Sequence, residues 1–259
     1  MKHRQIYLYF LIMFFTSCNQ NIDPINVVQK TISSIDTINT IYYQQTLIRG
    51  NTENTNNVIP KERAFYYERL KSDSIIGAKA HIYFYDSNYV FHEDIYDGDR
   101  LIRKHNVDSS AVIFDLIKYP DLRKKPFWGK TTPYTMQYML KYALENIEYY
   151  ILKLENDTII NGVNCYYLRT ILEKKALMPG FNKITVDTNR VETMVLFIDK
   201  LNYYPQKMRL ETYFFDSPDN IYFTDHHFYN IKFNPELNDS LFITSDEVVK
   251  GFKINEIKP

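Results

Sequence analysis

The chain has 259 residues, with 31 Lys+Arg against 31 Asp+Glu, two Cys and seven Gly. Its length lets it bury about 70–75% of its unfolded surface without a disulfide framework, and its neutral charge excludes the strongly basic footprint of a nucleic-acid binder. None of the glycines is spaced as GxG or GxxxxGK[ST], which excludes the glycine-based nucleotide loops. Tyr and Phe together number 40 of the residues, a composition that favours pleated, half-buried surfaces.

At the N-terminus, Lys2, His3 and Arg4 precede the apolar run Ile6 to Phe15. That run has the length of a signal-peptide core, since a helix crossing a bilayer needs about 20 residues. Phe15-Thr16-Ser17-Cys18 follows, and small residues directly before a Cys resemble the bacterial lipobox, with Phe15 where Leu is usual. The expectation is a lipoprotein signal peptide over residues 1–17, with Cys18 acylated as the mature N-terminus. The alternative is an ordinary secretory signal with an incidental Cys. On the first reading residues 18–259 form the mature domain, and loss of Lys2 and Arg4 leaves it near −2. Paired acyl chains hold such a domain firmly at a membrane. No other apolar stretch approaches the ~18 residues of a spanning helix. Asn19-Gln20-Asn21-Ile22 carries no acidic cluster, which points to a periplasm-facing domain on the outer membrane of a Gram-negative bacterium.

Asp23-Pro24 reads as an N-cap followed by Pro at the first helical position. Ile25, Val28, Ile32 and Ile35 recur at helical spacing, so residues 24–37 are expected to form an amphipathic helix. Ile41 to Ile48 is β-like, and residues 50–59 form an Asn-rich loop. Strands are expected at 62–70, 78–86, 89–96 and 101–106, with a turn at Asp97-Gly98-Asp99. Ser110 to Tyr119 places Ala111, Phe114 and Ile117 at threefold spacing ahead of Pro120, the pattern of a short helix. Residues 120–132 are polar turns around Trp128. Pro133 opens another helix with Met136, Met139, Leu140, Ala143, Leu144 and Ile147 on one stripe. Such a stripe is either plain core or an adaptable lid. From Tyr149 onward the pattern is β: Asn161-Gly162 joins 151–160 to 163–172, and 193–199, 206–215 and 222–233 follow, with turns at 199–202 and 217–220.

The chemistry-bearing residues form no recognisable catalytic pattern. His81, His92, His105, His226 and His227 lack metal-ligand spacing; His226 and His227 alternate faces, as do Glu93 and Asp94, and the two histidines read as surface or cross-strand pairs. There is no GxSxG or SxxK. Cys165 lies in a β-like run without a basic neighbour, so it is expected to be buried and inert. No enzyme activity, cofactor or metal is expected. Asp36-Thr37-Ile38, Asp73-Ser74-Ile75, Asp157-Thr158-Ile159 and Asp239-Ser240-Leu241 look like Asp-Ser/Thr-aliphatic O-glycosylation signals, a pattern shared with ordinary turns.

About ten strands and three helices leave too few helices to cover a flat sheet. Apolar residues at alternating positions (Ile82 and Phe84, Leu196 and Ile198, Met208 and Leu210) call for a curled sheet with helices over its mouth. The fold class is therefore α+β, mainly antiparallel: a curled, open half-barrel with an N-terminal helix and a mid-chain helical lid. Its interior is filled by its own side chains or holds an apolar ligand. Three segments carry a resemblance: Asp157 to Tyr166 around Asn161-Gly162, Phe197 to Pro205, and Asn234 to Phe242 with Lys250-Gly251-Phe252. Together with the order of elements they resemble the LolA/LppX-like lipoprotein-carrier superfamily, and also the LolA-like N-terminal domains of envelope thioredoxin-type proteins. The resemblance implies a half-barrel that shelters acyl chains or hydrophobic peptides. Its lining is expected to include Phe84, Phe91, Trp128, Met136, Met139, Leu140, Leu196, Leu210 and Phe214. The expected protein is a lipid-anchored envelope binder of lipid, acyl chain or lipoprotein; the alternatives are a protein–protein docking module or a glycan-binding accessory lipoprotein. Its expected partners are the membrane, through the acyl anchor, and an acyl-chain ligand, with no nucleic acid.

Overall fold

In a computed structural model of the chain the described residues are 22–53, 61–73, 76–120, 122, 132–177 and 184–256. Cys18 with its lipobox, Trp128 and Ser74 lie outside them. Helix α1 (Pro24–Asp36) starts as the sequence predicts: Ile25 N donates to Asp23 Oδ1 at 3.0 Å, and Pro24 occupies the first turn. Its buried face is Val27, Val28, Thr31 and Ile35. Ile25, which the helical spacing had placed on the stripe, is 38% exposed.

The chain then enters a sheet at its centre and works outward. Strands β1 (Thr40–Asn51), β2 (Lys61–Arg69), β3 (Ala78–Asp86), β4 (Tyr89–Tyr96), β5 (Arg100–His105) and β6 (Ser110–Asp115) follow one another as neighbours to one edge. Helix α2 (Pro133–Glu145) lies between that edge strand and β7 (Tyr150–Ile160), which forms the opposite edge. From there β8 (Val163–Leu177), β9 (Ile184–Asp199), β10 (Pro205–Phe214) and β11 (Ser217–Phe233) step back inward until β11 pairs with β1. The C-terminal strand β12 (Lys253–Glu256) adds to β6 in parallel, whereas every other neighbouring pair is antiparallel. The sheet has 12 strands and is open.

Two expectations need correction. Ser110 to Tyr119 is not a helix; its first half is β6. Val112 and Phe114 point to one face, while Ala111 and Ile113 pack with Ile102 and Val249 on the other. Both faces are covered, so the run shows no strand alternation, and a short apolar run of this kind cannot be told from a helix by periodicity. The turn expected at 217–220 is two residues earlier, at Phe215 and Asp216, and residues 217–220 already belong to β11. The Asn161-Gly162 turn has φ of 51° and 80°, the left-handed pair that a two-residue hairpin requires. Gly98 also has positive φ (112°), and a Cβ there would stand 2.5 Å from Leu70 Cδ2.

The sheet curls around its helices. α1 reaches β2, where Arg69 Nη2 donates to Ile35 O at 2.7 Å, and it also meets β7 and the β9–β10 turn, where Lys30 Nζ donates to Tyr203 OH at 3.2 Å. In a flat sheet β2 and β7 would stand about 29 Å apart, beyond the ~20 Å length of α1. One continuous core fills the concavity: Tyr43, Phe65, Tyr67, Tyr204 and Phe228 are fully buried with the inner faces of both helices. The Tyr43 and Phe65 rings stack at 4.8 Å, and Phe228 meets Tyr43 edge-on at 5.3 Å.

Candidate functional site: the concave face

Strand alternation fixes which side chains look into the concavity. From β1 they are Ile41, Tyr43, Gln45, Leu47 and Arg49; across β2 they are Arg63, Phe65 and Tyr67. The apolar part lies beneath the helices and towards β7. There Leu154, Leu168, Leu196 and Met208 form one cross-strand row, and Leu152, Thr170, Met194 and Leu210 form the next.

A polar belt interrupts this surface. Asp94 is fully buried, accepts from Arg103 Nε and Nη2 at 2.9 Å each, and lies 2.8 Å from His92 Nε2. Burial pushes the Asp94 carboxyl up, but the His92 and Arg103 hydrogen bonds outweigh it and hold the group below the usual carboxylate range. His92 Nδ1 is 3.2 Å from His105 Nδ1, and the His105 pKa is lowered by burial and by His92. Arg63 stands over the Phe84 ring at 4.7 Å and opposite Gln45. Burial, followed by the charge of Arg49, brings Arg63 down to about 10. His226, buried two register steps along β11 from Phe228, is lowered to about 3 by burial and then by Arg63 and Arg49. It is therefore a neutral interior side chain and not the surface or cross-strand residue expected of it. His227 does point to the opposite face, and Glu93 also turns away from Asp94, to pair with His81 and Lys104 on the convex side.

Of the nine expected lining residues, the eight other than Trp128 are among the described ones. Met136, Leu140 and Leu196 are fully buried core. Phe84 packs under Arg63. Phe91 on β4 and Phe214 near the tip of β10 are half-buried and five strands apart, about 24 Å along the sheet. Only Met139 and Leu210 line a common cavity, with Tyr150, Thr170, Leu172 and Met194 among its other walls; its volume is about 80 Å³. That is room for a few methylene groups or waters, against the ~300–1,000 Å³ of a drug-sized ligand pocket. Two larger hollows open outward. One of about 660 Å³ lies between the β7–β8 turn and β11, and one of about 510 Å³ lies beside α1.

Cys165 meets its expectation: it is fully buried, its Sγ lies 3.4 Å from Val163 O, and burial pushes the thiol up to about 11. The convex face carries an ion-pair ladder, Lys153–Glu155–Arg169–Glu211–Arg209–Asp225, whose members run from the exposed Lys153 to the buried Asp225. Sequence reasoning missed Gln45, Arg63 and Arg49. The signal was available: each is a polar residue on the parity that otherwise places Tyr43, Leu47, Phe65 and Tyr67 in the core.

No family model and no curated protein matches the sequence. Solved structures do. The chain is similar to the Mycobacterium tuberculosis lipoprotein LppX (8% identity, 83% of this chain and 97% of that one, TM-score 0.46). It is also similar to a putative outer membrane lipoprotein-sorting protein domain from Vibrio parahaemolyticus (13% identity, 87% and 97%, TM-score 0.38). A LolA superfamily protein from Nitrosomonas europaea is a third (10% identity, 85% and 98%, TM-score 0.37).

Proposed function

We propose that the chain is a non-enzymatic, lipid-anchored protein of the bacterial envelope, held at the membrane by acylated Cys18, whose curled sheet takes the acyl chain of a lipid or lipoprotein beneath α2. The observation that carries this is the cavity under Met139. There Met139 of α2 meets Leu172, Met194 and Leu210 of the sheet. A ligand longer than a few methylenes needs α2 to move outward, which makes the helix a cover.

The test is a pair of substitutions at one position. Met139→Trp fills the cavity, at a cost of about 1–3 kcal/mol for overpacking. Met139→Ala enlarges it and costs about 2–5 kcal/mol. Titration with a hydrophobic dye should show binding lost in the Trp variant and kept in the Ala variant, although Ala is the less stable. Binding that follows stability alone would refute the cover role. Native mass spectrometry of protein taken from its own membrane should show co-purified lipid.

A second reading rests on the convex face. Tyr42, Tyr66, Tyr83 and Tyr85 are half-buried neighbours there, with interplanar angles of 46°, 83° and 37° along the series. Rings tilted this way make no flat platform for a sugar and fit an irregular protein surface better. If dye and lipid binding are both absent, this face makes the chain a docking module.

A further inference from the structure

Gln45 is fully buried, and neither its amide nitrogen nor its amide oxygen has a hydrogen-bond partner among the described residues. A buried amide left this way is costly, so native proteins rarely keep one without a use for it. Arg63 Nε and His226 Nδ1 are in the same condition. The three side chains share the concave face: Arg63 is directly opposite Gln45 across β1–β2, and His226 pairs with Leu47, the next inward-facing residue of β1. Arg49 continues the series at the exposed mouth.

The charge of this region is one-sided. Arg49 and Arg63 lower the pKa of His226 together, and Arg49 lowers that of Arg63. Asp94, the buried carboxylate that opposes them, is already engaged by both Arg103 contacts and by His92. Glu192, at the far side of the Met139 cavity, is 3.4 Å from Arg190. Arg63 stands over the Phe84 ring, and the charge of Asp94 also acts on it. Two cations and an unpaired amide donor thus face an interior whose described carboxylates, Asp94 and Glu192, already have cationic neighbours.

The Met139 cavity, walled by Leu172, Met194 and Leu210 together with Thr170, Glu192 and Glu211, lies along the same surface. Arg49 registers with Thr224, Thr224 with Leu210, and Leu210 with Met194, so the cavity wall begins two strands from Arg49, about 10 Å away. Arg49 at the mouth, Arg63 and the buried Gln45 amide below it, and a cavity with Leu172, Met194 and Leu210 in its wall beside them suit the two halves of an amphiphile.

We propose that Arg63, Arg49 and Gln45 bind the anionic head group of an amphiphile, a carboxylate or phosphate monoester, whose chain runs towards Leu210 and Met139. The proposal rests on the acyl-binding reading above and adds the head-group chemistry to it.

The test compares oleate, oleyl alcohol, acetate and inorganic phosphate by calorimetric titration of the full chain. The variants are Arg63→Met and Gln45→Leu. Oleate should bind the parent at least about tenfold more tightly than oleyl alcohol, the size of a charge-assisted contact. Acetate and phosphate should not bind at the same concentrations. Both variants should lose most of the oleate preference and still take oleyl alcohol. Gln45→Leu should also melt higher than the parent, because it removes the unpaired amide, so its loss of preference cannot come from misfolding. Equal binding of oleate and oleyl alcohol to the parent, or a preference that survives both variants, overturns the head-group site alone. Inorganic phosphate bound as tightly as oleate would make it a free-anion site and overturn the proposal. If neither oleate nor oleyl alcohol binds, the acyl-binding reading fails and takes this inference with it.

Discussion

His226 is 5% exposed, and burial with the Arg63 and Arg49 charges lowers its pKa to about 3. An unfolded histidine titrates near 6.5. Between these values the unfolded chain takes up a proton that the folded chain refuses, so stability is complete above about 6.5 and falls as pH drops. Each such group costs about 1.4 kcal/mol per pH unit in that window. His105 and His227 are also lowered and act with the same sign. The depressed carboxylates act lower down: Glu93 sits at about 2 against its ordinary 4.5, so its contribution is lost only as pH falls below about 4.5. Between pH 6.5 and 5 the histidines therefore dominate. Urea midpoints should fall from pH 7 to pH 5 in the parent and fall less in His226→Gln. Parallel profiles for the two proteins would show that His226 is not the buried neutral group.

Among the elements, the edge formed by β6 and β12 depends on packing distant in sequence. Val249 is 1% exposed against Ile102 and Ala111, with Phe252 and Ile113 at the rim. Just beyond, Lys253 N donates to Ser109 O at 2.8 Å, which starts the parallel pairing. Val249→Asp puts an unpaired carboxylate into that cluster, and the expected loss is about 2–4 kcal/mol. The damage should be local: amide exchange at β5 and β6 should speed up while β8 and β9 stay protected. Uniform acceleration would mean that the C-terminal segment holds the whole sheet and not one edge. This edge is also where the sequence was least legible. Hairpins with one solvent face, such as β7–β8 with Asn161-Gly162, announce themselves by alternation and turn chemistry. β6 does not, because a segment almost 140 residues later covers its outer face. β12 is four residues long and is a strand only because β6 offers an edge. The apolar half of the concavity was legible from alternation. Its polar belt was not, because the face that Arg63 and Gln45 share emerges only from the β1–β2 register.

At the scale of the whole molecule, the proposed acyl anchor would set the position of the domain relative to a membrane through a short tether. Six positions separate Cys18 from Pro24, where α1 begins. Fully extended, that is at most about 20–22 Å, so acylation of Cys18 would hold the start of α1 close to the head groups. Ile22 and Ile25, 45% and 38% exposed at this end, add a little apolar surface there. No helix among the described residues is long and apolar enough to cross a membrane. If Cys18 is acylated, its chains supply nearly all of the membrane affinity, since each buried methylene contributes about 0.8 kcal/mol and two exposed isoleucines cannot match several chains. Cys18→Ala should leave the circular dichroism spectrum and melting temperature of the domain unchanged and should move the protein from the membrane pellet to the soluble fraction. Oleate binding by the released protein should equal that of the anchored one, because Arg49, Arg63 and Gln45, proposed to hold the head group, lie in β1 and β2 and are unchanged. Retention of the variant in the pellet after a high-salt wash would refute the anchor and shift the membrane contact to the domain surface.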